Sequence, residues 1–292
     1  MRNFVRKYPA LSLFIVAFVL GVTPLALVTA GIAPPGIVQL GAFSASGAGI
    51  ILAAIEGRKG GVRELLKRGL IWRVGIRWWI FALLAFAPLI TGALYLRSLL
   101  GGTPVDWSQL DPLASIPQLM LILIILAGFG EEYGWRGFAL PRLQARHSAL
   151  GSALIIAFIW SLWHIPKYFV PGEGQNDWIL EAGFVSPFLG YTTFLVGGSI
   201  IYTWVFNNTR GSVLLAAVVH GAMNTWCSYL DNYRGDFVNL WAFAILTLAV
   251  AIVIVLLAGP EHLSRKNKRN VLEPEVRSPG RVLQQDKELS YR

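Results

Sequence analysis

Eight apolar stretches of about twenty residues dominate this chain, near 10–31, 36–55, 78–98, 116–139, 149–169, 187–206, 212–230 and 237–258. Each is long enough to cross a hydrocarbon layer roughly 30 Å thick. In that layer water cannot satisfy backbone amides and carbonyls, so such runs must bond to themselves as helices. The predicted architecture is therefore all-α, a polytopic transmembrane bundle of about eight spans. Composition agrees: 55% of residues are hydrophobic, 14% are charged, and the mean hydropathy is +0.56. Arg2, Arg6 and Lys7 precede an apolar run as they would in a signal peptide. The run from Ala10 to Ala33 carries no charge and exceeds the roughly 7–15 residues of a cleavable leader, so a retained span is expected. The single cysteine, Cys227, has no partner for an internal disulfide and reads as a small core residue.

A net charge of +9 would suggest nucleic acid in a soluble protein. Here the basic residues sit in short connections, the pattern that fixes membrane orientation, and no nucleic-acid partner is expected. Arg63, Lys67, Arg68, Arg73 and Arg77 crowd the second connection, and Arg142, Arg146 and Arg210 follow in alternate ones. The connections at 101–115 and 173–181 are acidic. An even number of spans with both termini cytoplasmic satisfies all of them, with the plasma membrane the expected location. Residues 61–77 also show helical periodicity, which predicts an amphipathic segment lying on the inner leaflet. The expected organisation is 1–114 as N-terminal helices with the basic segment 56–77, 115–230 as a functional core, 231–258 as the last span, and 259–292 as a disordered basic cytoplasmic tail.

Against this background Glu131-Glu132-Tyr133-Gly134-Trp135-Arg136 stands out, since it follows an apolar run inside a predicted span. An ionisable side chain at the centre of a membrane helix costs about 2.5–3.5 kcal/mol on insertion scales, and such groups mark protein-lined cavities and function. Glu132 and Arg136, four apart, share a helix face and are natural partners. That pairing leaves Glu131 available as a general base. Two further pairs at helical spacing are Trp160 with His164 and His220 with Asn224, both in apolar surroundings. The bland alternatives are a packing network for the Glu–Arg set, an interfacial His164, and an interhelical hydrogen bond at His220 and Asn224.

The three motifs in order, Glu-Glu-x-x-x-Arg, aromatic-x-x-x-His and His-x-x-x-Asn, resemble the CPBP intramembrane proteases. That family includes the type II CAAX prenyl endopeptidases and bacterial proteins linked to bacteriocin self-immunity. The resemblance covers about residues 115–228, and its one departure is Trp160, where the family usually has Phe. It implies that Glu131 and His164 activate the attacking water while His220 and Asn224 stabilise the oxyanion, with Glu132 in the catalytic set and Arg136 and Trp160 supporting. It further implies an endopeptidase acting on membrane-proximal or lipidated peptides. Glu131, His164 and His220 would also make a plausible Zn2+ site with water in the fourth position, so metal dependence stays open at this point, as does oligomeric state.

The expected site lies inside the bundle and is reached from the cytoplasmic side. A linear count leaves Glu131 and His164 separated in depth by roughly 10–15 Å at 1.5 Å per residue, a gap the fold must close. Two rivals remain: a proton-coupled transporter, which predicts repeated halves not visible here, and a non-catalytic scaffold or immunity protein.

Overall fold

The computed structural model describes residues 2–56, 61–102, 104–171, 173–230 and 237–264. It is helical throughout, with no strand among the described residues. The long helices are α1 (Pro9–Thr29), α2 (Ser44–Ile55, entered through a 3-10 turn at Pro35–Phe43), α3 (Ile76–Leu99), α4 (Leu113–Gln144), α5 (Ala149–Trp163, extended by a 3-10 turn at Ile165–Phe169), α6 (Val185–Asn208), α7 (Val213–Tyr229) and α8 (Phe237–Ala258). Seven of these are long and apolar enough to cross a membrane, which makes this an integral multi-pass membrane protein. The eighth, α7, has 17 residues, about 25 Å at 1.5 Å per residue. It falls short of the hydrocarbon thickness, but 13 of its 17 residues are buried within the bundle. Lipid sets no minimum length for a helix that other helices surround.

The outer surface is apolar, as lipid requires. Leu11, Ile15 and Val19 form an exposed stripe on α1, and Ile245, Ile252 and Leu256 do the same on α8. Glycine determines how the inner helices meet. Gly130 and Gly134, four apart on α4, face the backbone of the α2 region, and a Cβ at Gly134 would lie 2.2 Å from the Ala45 carbonyl oxygen. On the other side, a Cβ at Gly128 would lie 2.3 Å from Ala217 O and one at Gly221 2.4 Å from Ile124 Cα. Small residues let membrane helices approach to backbone contact, so α4 is clamped between α2 and α7. The Gly-x-x-x-Gly pair brackets Glu131 and Glu132 and directs them to the opposite side.

Backbone contacts bring one set of chain ends together. Arg146 donates to the carbonyls of Arg6 and Lys7 at 2.9 and 2.7 Å. Ala149 N bonds to Glu261 O at 2.8 Å, and Asn207 Nδ2 to His262 O at 2.9 Å. Arg142 pairs with Glu56 at 2.5 Å, and Arg210 donates to Arg73 O. Both ends of the described chain and the basic connections thus share one end of the bundle, which the eight-helix count requires. The reversal between α6 and α7 is made by consecutive left-handed residues, Arg210 (φ 60) and Gly211 (φ 72).

Two expectations are adjusted. The amphipathic segment is helical only at Gly61–Lys67, with one 3-10 turn to Leu70; Gly75 (φ 88) then breaks it before α3. Arg58, Lys59 and the tail from 265 lie outside the described residues, so the expected disorder there stays an expectation. The helix expected at 116–139 continues to Gln144.

The clamp makes a prediction. Gly134→Ala places a methyl group against the fixed α2 backbone and should cost about 1–3 kcal/mol, read as a lower midpoint of thermal unfolding in detergent. An unchanged midpoint would show that α2 yields and that the close approach is not required.

Candidate active site

Helix α4 carries the carboxylates on an irregular stretch. Two wide π-type turns, Ile124–Phe129 and Tyr133–Ala139, flank the single α-turn Gly130–Glu132. Such turns concentrate at functional sites because they reorient side chains within an otherwise regular helix. The continuation of α4 to Gln144 places Glu131 near mid-helix rather than close to its end. That shift closes the expected depth gap: Trp160 lies level with Glu131, and His164 caps α5 one turn further on.

Glu131 Oε2 accepts two indole hydrogen bonds, from Trp160 Nε1 at 2.6 Å and Trp135 Nε1 at 3.2 Å. Trp135 was not singled out from the sequence, although it sits four residues from Glu131 and therefore on the same face. Glu132 is wholly buried, and its Oε1 accepts from Arg136 Nη1 at 3.1 Å and His220 Nδ1 at 2.9 Å. The Arg136 guanidinium lies between two rings, 5.1 Å from the centroid of Trp160 and 4.9 Å from that of Tyr202. These contacts favour a cation.

The hydrogen bonds also orient both imidazoles. His164 Nδ1 is 2.8 Å from Trp160 O; a carbonyl only accepts, so Nδ1 carries the proton and Nε2 presents its lone pair. His220 Nδ1 faces the Glu132 carboxylate and is assigned as donor by the same reasoning. The His164 ring is further held edge-on by Trp163 and Tyr191, with centroids 4.8 and 5.1 Å away.

A cavity of about 440 Å³ gathers the set, lined by Glu131, Trp160, His164, His220 and Asn224 together with Tyr191. Five of the sequence-derived candidates, Glu131, Trp160, His164, His220 and Asn224, thus meet in one space contributed by three helices. Glu132 and Arg136 do not line it. Glu132 stands behind His220, with its carboxylate against that ring rather than on the cavity. The Lys167–Glu173 ion pair, 3.5 Å apart and partly exposed, stands at the cavity's surface-facing end. Both residues line the cavity, and neither was identified from the sequence, since they follow the helix end at Pro166.

The residues do not fit a resident zinc ion. Among the described residues no three His, Cys, Asp or Glu side chains form a group that could hold a metal. One oxygen of Glu131 is also committed to two indoles. The candidate set Glu131, His164 and His220 therefore shares a cavity without forming a coordination sphere.

The cavity also occupies one half of the bundle. Phe18, Glu131, Trp160 and His220 lie near the middle of their helices, and the remaining lining residues lie toward the end away from Arg73, Arg142, Arg146 and Arg210. The cavity thus extends toward the end of the bundle opposite the one where the described chain ends meet.

The buried cluster predicts a specific stability pattern. Glu132→Ala leaves Arg136 as an uncompensated buried charge and should cost about 3–5 kcal/mol, whereas removing both charges with Glu132→Leu and Arg136→Met should recover most of that loss. Chemical denaturation in detergent measures both. A double variant no better than the single would contradict the pairing.

A family model described as type II CAAX prenyl endopeptidase Rce1-like matches residues 113–226. A protein named CAAX prenyl protease 2 from Methanococcus maripaludis is 36% identical over 107 residues, which is 36% of this chain and 38% of that relative. The chain thus matches well under half the length of that relative. The matched stretch runs from the start of α4 through most of α7 and contains Glu131, His164, His220 and Asn224 at the motif spacings. Over this core, residues 113–226, the chain is therefore similar to the type II CAAX prenyl endopeptidase Rce1-like proteins.

Proposed function

We propose that the chain is an intramembrane endopeptidase in which Glu131 and His164 activate water and His220 and Asn224 stabilise the oxyanion. The observation that carries this reading is the convergence of these four side chains from α4, α5 and α7 on one cavity within the membrane-spanning bundle. The family match supports the reaction class.

The chemistry follows from the hydrogen bonds. With Oε2 of Glu131 held by Trp135 and Trp160, Oε1 is the oxygen left to take a proton from water, assisted by the lone pair on His164 Nε2. The hydroxide formed attacks the scissile carbonyl carbon, and negative charge develops on its oxygen. Asn224 can donate an amide N–H to that oxygen directly. His220 can donate from Nε2 only when that nitrogen carries a proton, and the Glu132 carboxylate at Nδ1 balances the positive charge this creates. The buried set would then comprise Glu131, Glu132, Arg136 and His220 with no net charge. When the C–N bond breaks, the proton held by Glu131 passes to the leaving amine.

Substrates on this reading are peptides close to the membrane, including lipidated tails of the kind named for the relative from Methanococcus maripaludis. The scaffold reading gives these converging groups no role, and the transporter reading predicts repeated halves that the sequence does not show.

The test is proteolysis by purified protein in proteoliposomes, with lipidated and unlipidated membrane-proximal peptides and new termini read by mass spectrometry. Glu131→Gln and His164→Ala should lower turnover by at least about a hundredfold while the protein stays folded. Trp160→Phe keeps the ring but removes one hydrogen bond to a charged oxygen, worth about 1.5–3 kcal/mol, and should slow cleavage by about tenfold or more. Full activity in Glu131→Gln would end the assignment.

A further inference from the structure

We propose that the cavity takes its peptides from the extracytoplasmic side of the membrane, so that the substrate class is exported or outward-facing peptide segments rather than tails presented in the cytoplasm. This inference rests on the proteolytic reading for its substrate class but not for its geometry.

Three observations carry it. First, the basic connections share one end: contacts of Arg146 with Arg6 and Lys7 carbonyls, of Arg142 with Glu56, and of Arg210 with Arg73 tie them together. Second, the other end is acidic, with Asp106, Asp111, Asp177 and Glu181 outside the spans. Arg97 and Lys167 are the basic residues there among the described residues, and Lys167 is paired with Glu173. Third, the cavity extends from mid-bundle toward this acidic end, reaching Val170, Glu173, Gly174 and Gln175. Short connections rich in Lys and Arg stay in the cytoplasm. The basic end is therefore cytoplasmic and the mouth opens outward. A peptide entering from the cytoplasm would have to pass the helix-packed half, where Gly134 meets Ala45 and α7 is buried.

Orientation is read without catalysis. In a Cys227→Ser background, His147→Cys marks the exposed turn at the basic end and Glu181→Cys an exposed position on the short helix Gly174–Ala182, whose first residues line the cavity. Acidic residues contribute little to orientation, so Glu181→Cys should not invert the protein. In intact cells a membrane-impermeant maleimide should label position 181 at once and position 147 only after permeabilisation. Labelling of 147 but not 181 in intact cells would overturn the proposal. A second measurement adds an impermeant peptide to sealed cells and to detergent-solubilised protein. Cleavage in both supports outward access, whereas cleavage only after solubilisation overturns it. No cleavage in either, with 181 labelled from outside, would remove the protease reading and leave the outward-facing mouth in place.

Discussion

A buried carboxylate with two donors on one oxygen organises the centre of this protein. Glu132 Oε1 accepts from Arg136 on its own helix and from His220 on α7. In an apolar bundle neither charge is tolerable alone, because breaking a buried pair costs several kcal/mol. The requirement that they meet fixes the rotation of α4 and the depth of α7. It also turns the His220 ring so that Nδ1 is occupied and Nε2 is available. Glu131, the next residue, is then directed toward α5, where Trp135 and Trp160 take one of its oxygens.

Such a charged centre needs a close-packed frame. Glycines at 128, 130, 134 and 221 bring backbones nearer than any side chain would permit, and without lipid-driven collapse this packing supplies much of the attraction between membrane helices. The division of labour along α4 is clear: one face carries Gly130 and Gly134 against α2, another carries Glu131, Trp135 and Glu132. The π-type turns on either side let both faces be used within two turns of helix.

Much of this was legible from sequence. Long apolar runs fixed the number and approximate limits of the helices, because hydrocarbon leaves the backbone one solution. Spacing of four exposed the Glu132–Arg136 pair and the His220–Asn224 face. The depth of Glu131 was not legible: it depended on the end of α4, where Leu140-Pro141 looks like a stop but the helix continues to Gln144. Lys167 and Glu173 were invisible for a different reason, since they lie beyond the end of α5 and meet only through the turn at Pro166. The direction of the cavity along the bundle was not legible either, because the motif residues sit near mid-depth. Its direction is set by Tyr191, Val170 and Gln175, which carry no motif signal.

The central claim is that Glu131 delivers water directly to the peptide bond. A single turnover in water enriched in oxygen-18, with enzyme in excess over peptide, tests it most directly. Direct attack predicts label in the new C-terminal carboxylate from the first turnover. An unlabelled first-turnover product would mean that an enzyme oxygen had attacked instead, through a covalent acyl intermediate, and would contradict the account.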